Sequence, residues 1–323
     1  MSEFNSPPPS LSNDQISALL EEQFDLNGKL KALDSERDQN VLVDAGDAKY
    51  VLKISNAAED ASFVRLQSDV LNHLERANYP YAPKQFANKA DEYLFKYEID
   101  GSEHLIRLIE FIDGKLMSQK LPNIETLENL GRAVGEISSA LQGFFDPAAL
   151  RPDFEWNLDN VASLRAMASD IADKGNRTRV EKLFKRYEQH IAPKLPFLRD
   201  ATLYQDANDN NIIVDAANPT EIKGVFDFGD MCFGKQVNEL AVCLAYALLN
   251  QPDLFAASRA IVKGYTSAFP LQEEELEVLF DLARMRLVAS VCMSSRQANA
   301  YPDNEYLVIS QKPAFELLKR LDA

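Results

Sequence analysis

The chain has 323 residues, 46% apolar and 26% charged, enough to bury one large core or two separate ones. Its 34 basic against 50 acidic side chains leave a net charge of -16, without the basic footprint that nucleic acids and anionic membrane surfaces require. Three cysteines and three scattered histidines supply neither a disulfide framework nor a zinc ligand set, and the mostly apolar neighbours of Cys232, Cys243 and Cys292 suit reduced thiols in a cytoplasmic protein.

The opening "MSEFNSPPPSLSN" lacks the basic start and apolar core of a signal peptide and reads as a short disordered leader, residues 1–13. "DQISALLEEQF" sets Ile16, Leu19, Leu20 and Phe24 on one helical stripe. After the polar turn "SERDQN", Ser35 to Asn40, the runs "NVLVDAG" and "KYVLKIS" read as two strands joined at Asp44 to Ala48. "DASFVRLQSDVLNHLERA" returns to helical period through Phe63, Leu66, Val70, Leu71 and Leu74. "DEYLFKYEI" and "HLIRLIEFI" form a second antiparallel pair across the turn "DGSE".

After Gly114 the character changes. "IETLENLGRAVGEISSALQGF" places Leu127, Leu130, Val134, Ile137 and Leu141 at helical spacing. Helical pattern continues over about residues 161–193, 236–250, 254–268, 273–298 and 312–321. One β-rich island interrupts it between Ala201 and Phe228: "ATLYQ", "NIIVD" and "IKGVFDF". No uncharged apolar run approaches the length of a membrane span. The order predicts an α+β chain with a small β-rich N-lobe (14–112), a larger, mostly helical C-lobe (113–323), and a cleft between them.

Four polar features stand out against these apolar runs. "YQDANDNNIIVD" contains Asp206 and, five residues on, Asn211. "GVFDFGD" puts Asp227 at the end of a strand and before a glycine turn. Lys53 sits inside the strand "YVLKIS", and "SERDQN" precedes the first strand pair. Each alone has an ordinary reading: an Asn-rich turn, a solvent-facing lysine, a plain strand-to-helix connection. Together they match the needs of phosphoryl transfer. Mg²⁺ on the nucleotide phosphates wants hard oxygen ligands, which Asn211 and Asp227 supply. A second carboxylate, Asp206, accepts the hydroxyl proton, and a lysine clamps the phosphates from the opposite lobe.

With these stretches, and with "LQSDVLNHLERANYP", "FEWNLDN", "NELAVCLAYALL" and the terminal "DNEYL", the chain resembles the aminoglycoside phosphotransferase and choline kinase superfamily, from about Asp14 onward. Within it the resemblance is to hydroxylysine kinases and to kinase domains fused to class III aminotransferases. It implies a bilobal protein-kinase-like fold and a Mg²⁺-dependent transfer from ATP or GTP to a small-molecule hydroxyl. It makes Asp206 the base, Asn211 and Asp227 the metal ligands, and Lys53 the phosphate clamp. Ser35, Arg37 and Asn40 stand where kinases carry a glycine-rich loop, the Glu110 to Ile112 backbone matches the hinge that reads the nucleotide base, and Glu239 matches the brace of the catalytic loop.

Two positions depart from the superfamily pattern. Tyr204 replaces the usual histidine two residues before the base, and Gln67 stands where a glutamate normally pairs the lysine; its oxygen can accept from Lys53 but gives no ion pair, so the clamp is weaker. They leave open a second reading, a pseudokinase-like module that binds nucleotide or metabolite without turnover. For the acceptor, the resemblance implies an amine-bearing alcohol such as hydroxylysine or an amino alcohol, with aminoglycoside, choline or homoserine as alternatives, and pathway coupling to a class III aminotransferase-like phospho-lyase. Trp156, Asn208, Asp230 and Arg286 are the candidate acceptor residues. For Trp156 the alternative is a place in the core; for Arg286, as for Arg284, it is an ordinary salt bridge. Glu305 and Tyr306 carry no assigned role.

Overall fold

The first helix, α1 (Asn13–Phe24), starts on a capping box: Ser12 accepts the Gln15 N–H, and the Gln15 side chain returns an oxygen to the Ser12 N–H. It ends at Asp25, whose backbone is left-handed at φ 53°. Leu11 is already in the core and exchanges two hydrogen bonds with the Gln39 side chain. The expected leader is therefore too long at its C-terminal end, because a buried leucine and a capped helix start order this stretch. Its residues 1–7, like Glu305 and Tyr306, lie outside the described residues, which in this computed structural model are 8–35, 37–301 and 311–322.

Six antiparallel strands follow around one helix: β1 (Lys29–Leu33), β2 (Gln39–Asp44), β3 (Lys49–Ile54), α2 (Ala61–Arg76), β4 (Gln85–Phe86), β5 (Phe95–Ile99) and β6 (Ser102–Glu110). The sheet runs β1-β2-β3-β6, and both β4 and β5 pair with β6. The β5–β6 hairpin turns on Asp100 and Gly101, both at positive φ (49° and 80°), as the Asp-Gly dipeptide favours. The two-residue period sends Val41, Val43, Leu52, Ile54, Ile106 and Leu108 to one face, where they pack on Ile16, Leu19 and Leu20 of α1. The other face carries a transverse polar row, Asn40–Lys53–Arg107, aligned by strand register.

The chain divides into two units between Asp113 and Gly114, one residue beyond the division expected from sequence; an ion pair of 2.6 Å to Lys49 keeps Asp113 with the first unit. The second unit comprises β7 (Lys115–Leu116), α3 (Ile124–Ala140), α4 (Lys174–Arg186), β8 (Asp200–Leu203), β9 (Ile212–Val214), β10 (Ile222–Val225), β11 (Cys232–Lys235), α5 (Val237–Ala247), α6 (Leu254–Ala268), α7 (Glu273–Ala300) and α8 (Gln311–Leu321). Its strands form two small sheets, β10-β9-β7 and β11-β8.

The single helical stretch expected over 161–193 is broken. Residues Leu158–Asp170 wind as 3₁₀ turns, α4 begins afresh, and a π turn follows at Tyr187–Ile191. Asp173 makes the restart by capping the Asn176 N–H, while the Arg177 side chain occupies the Ile171 carbonyl. Helices α3 and α6 meet backbone to backbone at Gly131, Gly135 and Gly264.

Candidate active site

The connection between β8 and β9 carries the first cluster. It leaves the strand through Gln205, a non-glycine residue held at φ 58°, a strained conformation that needs outside support. Support comes from α5: the two carboxylate oxygens of the buried Glu239 accept the Tyr204 and Gln205 N–H groups at 2.8 and 2.9 Å. The Gln205 side chain is fixed as well, donating to the Trp156 carbonyl at 2.8 Å and accepting from the Cys232 thiol at 3.0 Å.

Asp206 follows directly. Its Oδ1 accepts from the Asn208 amide at 2.9 Å and its Oδ2 from the Asn211 amide, so both oxygens are aimed by neighbours in the same loop. Burial, then the nearby Asp230 charge, pushes its carboxyl well above the usual carboxylate range, against the opposing pull of Arg286 and the Asn208 bond. Asn211 uses its amide nitrogen on Asp206, and its carbonyl Oδ1 takes no hydrogen bond among the described residues.

The β9–β10 hairpin sets the second group. Its register pairs Ile212 with Val225, and the Phe226 N–H continues the ladder to the Asn211 carbonyl at 3.1 Å. Asn211 and Asp227 thus emerge from the same end of one hairpin. Tyr204 contributes here: its hydroxyl donates to the Phe226 carbonyl at 2.5 Å and its ring packs on Phe228. The tyrosine that departs from the superfamily pattern ties the Asp206 loop to the Asp227 loop. Asp227 is exposed, holds φ 61°, and accepts the Gly229 N–H on Oδ1, leaving Oδ2 for a ligand. Arg151, which sequence reading missed, grips the Gly229 and Met231 carbonyls, both at 3.2 Å.

Arg286 enters this cluster from α7 and is 1% exposed. Its Nε donates to the Tyr246 hydroxyl (3.1 Å) and Nη1 to the Trp156 carbonyl (2.9 Å), while Nη2 lies 3.6 Å from Asp206 and 3.9 Å from Asp230. The half-buried Trp156 ring faces this guanidinium at 4.3 Å, and its carbonyl serves both Arg286 and Gln205. Asn208 is committed to Asp206. Arg284, two residues from Arg286, turns to Asp281 and the Leu321 carbonyl.

In the first unit, Lys53, Asp38, Glu59, Gln67 and Arg107 line one small cavity. Gln67 Oε1 accepts from Arg107 Nη2 at 2.5 Å, because strand register sets this buried arginine directly beside Lys53. Asn40 stands on the other side of Lys53 with a buried Oδ1 that has no hydrogen-bond partner among the described residues. Ser35 accepts the Asp38 N–H, and Asn56 pins the turn through Asp38 and the Arg37 carbonyl. At the end of β6 the Glu110 and Phe111 N–H groups are taken by Lys84 and Lys49 carbonyls, while the Ile112 N–H has no backbone acceptor among the described residues.

Residues 29–285 match the phosphotransferase enzyme family (APH). The chain belongs to this family. It is similar to the hydroxylysine kinase of Mus musculus, 29% identical over 341 residues that cover 98% of this chain and 90% of that protein. Among solved structures it shares its fold with amicoumacin kinase hAmiN, bound there to AMP-PNP, Ca²⁺ and Ami, at a TM-score of 0.69 and 13% identity over 96% of this chain and 94% of that one. A microcompartment-associated aminopropanol kinase gives a TM-score of 0.68 at 16% identity, over 95% and 97%. This phosphotransferase is a small-molecule kinase: a nucleotide gives the phosphoryl group and a hydroxyl takes it.

Glu239, which accepts the Tyr204 and Gln205 N–H groups, is also a titratable group. Burial pushes Glu239 up to about 7, against its two backbone bonds. A free glutamate lies near 4.3, so between these values the folded chain holds a proton that the unfolded chain has lost. Stability is therefore expected to fall as pH rises through this window, by about 3 kcal/mol in all. Denaturant unfolding at about pH 5 and pH 8 should show the decline, and Glu239→Gln should make it shallower. An unaltered slope in the variant would remove Glu239 as its source.

Proposed function

We propose that this kinase transfers the γ-phosphoryl group of ATP or GTP, as its magnesium complex, to a hydroxyl of a small amine-bearing acceptor such as 5-hydroxylysine or an amino alcohol. The observation that carries the reading is Asp206, aimed by Asn208 and Asn211 and joined through Tyr204 to the loop of Asp227. Asp206 accepts the hydroxyl proton, the freed oxygen forms the bond to the γ-phosphorus, and the nucleoside diphosphate leaves with the bridging oxygen. The residues fit Mg²⁺: Asn211 offers an amide oxygen and Asp227 a free carboxylate oxygen at one hairpin end, a hard pair that suits a cation shared with phosphates. When bound, the ion neutralises phosphate charge.

Lys53 is the phosphate contact, with Asn40 beside it and Ser35 and Arg37 in the adjoining turn; the Ile112 N–H suits a nucleotide base. Asp230, half-buried beside Asp206, is the group for the acceptor's ammonium, in keeping with the acidic chain. Similarity to hydroxylysine kinases supports the acceptor class. The phosphate ester of an amino alcohol carries a good leaving group beside its amine, the kind of substrate that a class III aminotransferase-like phospho-lyase consumes. Three buried, unpaired thiols suit the cytoplasm.

The test is a coupled nucleotide-consumption assay with Mg²⁺, running ATP and GTP each against 5-hydroxylysine, ethanolamine, choline, homoserine and an aminoglycoside. Turnover restricted to one of the small amino alcohols, hydroxylysine included, is expected. A thermal shift with nucleotide but no turnover on any acceptor would favour a binding module. Asp227→Ala should weaken Mg²⁺–nucleotide binding about tenfold or more, measured calorimetrically; unchanged affinity removes Asp227 from the metal site.

A further inference from the structure

Arg286 is the largest fully buried side chain among the described residues, and nothing in an ordinary core requires a guanidinium there. The helix is buried along this stretch, from Met285 through Ala289, while Arg284 bonds Asp281 and the Leu321 carbonyl. The cation sits between the Trp156 and Tyr246 rings, at 4.3 and 5.4 Å, and is fixed by the Tyr246 hydroxyl and the Trp156 carbonyl. Those two bonds aim Nη2 between carboxylates of two different loops, Asp206 and Asp230. A sealed guanidinium with Nε and Nη1 committed this way has no face left for a substrate carboxylate.

We propose that Arg286 is a positioning residue for phosphoryl transfer: it bridges Asp206 and Asp230 electrostatically and holds the base aimed at the acceptor hydroxyl. This rests on the reading of Asp206 as the base. Two carboxylates in one poorly hydrated site repel each other, and a fixed cation between them removes the force that would splay the loops. The Trp156 carbonyl makes the bridge stiff, because it also holds the Gln205 side chain immediately before Asp206. Displacing a reacting group by a fraction of its contact distance is enough to cut the rate, while acceptor binding through other groups persists.

The test compares kcat and acceptor KM for wild type, Arg286→Met, Arg286→Lys and Asp206→Ala, with the acceptor that the wild type turns over. Arg286→Met is expected to lower kcat about 10²-fold with acceptor KM within about threefold, and Arg286→Lys to recover about tenfold of that loss by restoring the charge. A raised KM with kcat intact would make Arg286 a substrate contact and overturn the inference, as would equal kcat loss in the two variants. Should Arg286→Met not fold, Arg286→Lys and Tyr246→Phe carry the test: each should lower kcat about tenfold at constant KM, and wild-type kcat in both overturns the bridge. The underlying reading fails separately: Asp206→Ala retaining turnover removes the base, whereas an inactive Asp206→Ala beside a fully active Arg286→Met removes only the bridge.

Discussion

Replacing Asp206 with alanine is expected to lower kcat by about 10³-fold or more, with nucleotide affinity within about threefold of wild type. The size follows from what the side chain does. Removing a positioned base leaves the hydroxyl to lose its proton to water, and the carboxylate also fixes the direction of attack. The fold should tolerate the change. Asp206 is a largely buried carboxylate facing the like charge of Asp230, and its loop is also held by Glu239, Gln205 and Tyr204 through bonds that do not involve it. Melting temperature within a few degrees of wild type, beside lost turnover, is the expected pair of results. Residual activity within about tenfold of wild type would mean that another group takes the proton.

The largest structural effect should come from Gly264→Ala, at a cost of about 3 kcal/mol or more. A Cβ built at this position would lie 1.9 Å from the Glu128 carbonyl oxygen and 2.8 Å from the Arg132 nitrogen. Both are backbone atoms of α3, so no side chain can swing aside, and the helices must separate. Separation opens the contact along its length, because Gly131 faces the Ile261 carbonyl and Gly135 the Tyr265 carbonyl across the same seam. For a unit of this size, such a loss corresponds to a fall in melting temperature of roughly 6–12 °C. A variant that melts within about 2 °C of wild type would mean that α3 and α6 do not meet this closely.

Much of this site was legible because its chemistry is local. The spacing of Asp206, Asn211 and Asp227 is a loop and one hairpin, and Lys53 stands in a strand whose alternation is clear. What escaped is what depends on which strands and helices meet. Arg107 lies in the apolar run "HLIRLIEFI" and gains its meaning only from the register that sets it beside Lys53 and Gln67. Arg151 acts on carbonyls far along the chain, and the glycines of α3 and α6 contact each other only in three dimensions. Four strands were also missed, of which β4 and β7 are only two residues long. β1 alternates weakly, with lysines at its exposed positions, and β11 contains Gly234, which lowers strand propensity. The stretch 161–170 is helical as expected, but it winds as 3₁₀ turns beside a part-buried Asp159–Asn238 bond and does not run on into α4.

The measurement closest to the central claim follows a labelled γ-phosphate from ATP or GTP, with Mg²⁺, to 5-hydroxylysine, ethanolamine and homoserine, using wild type and Asp206→Ala in parallel. The label should appear as a phosphate ester on an acceptor hydroxyl with the wild type and stay on the nucleotide with the variant. Label released only as inorganic phosphate, or equal labelling of the acceptor by both proteins, would contradict the account.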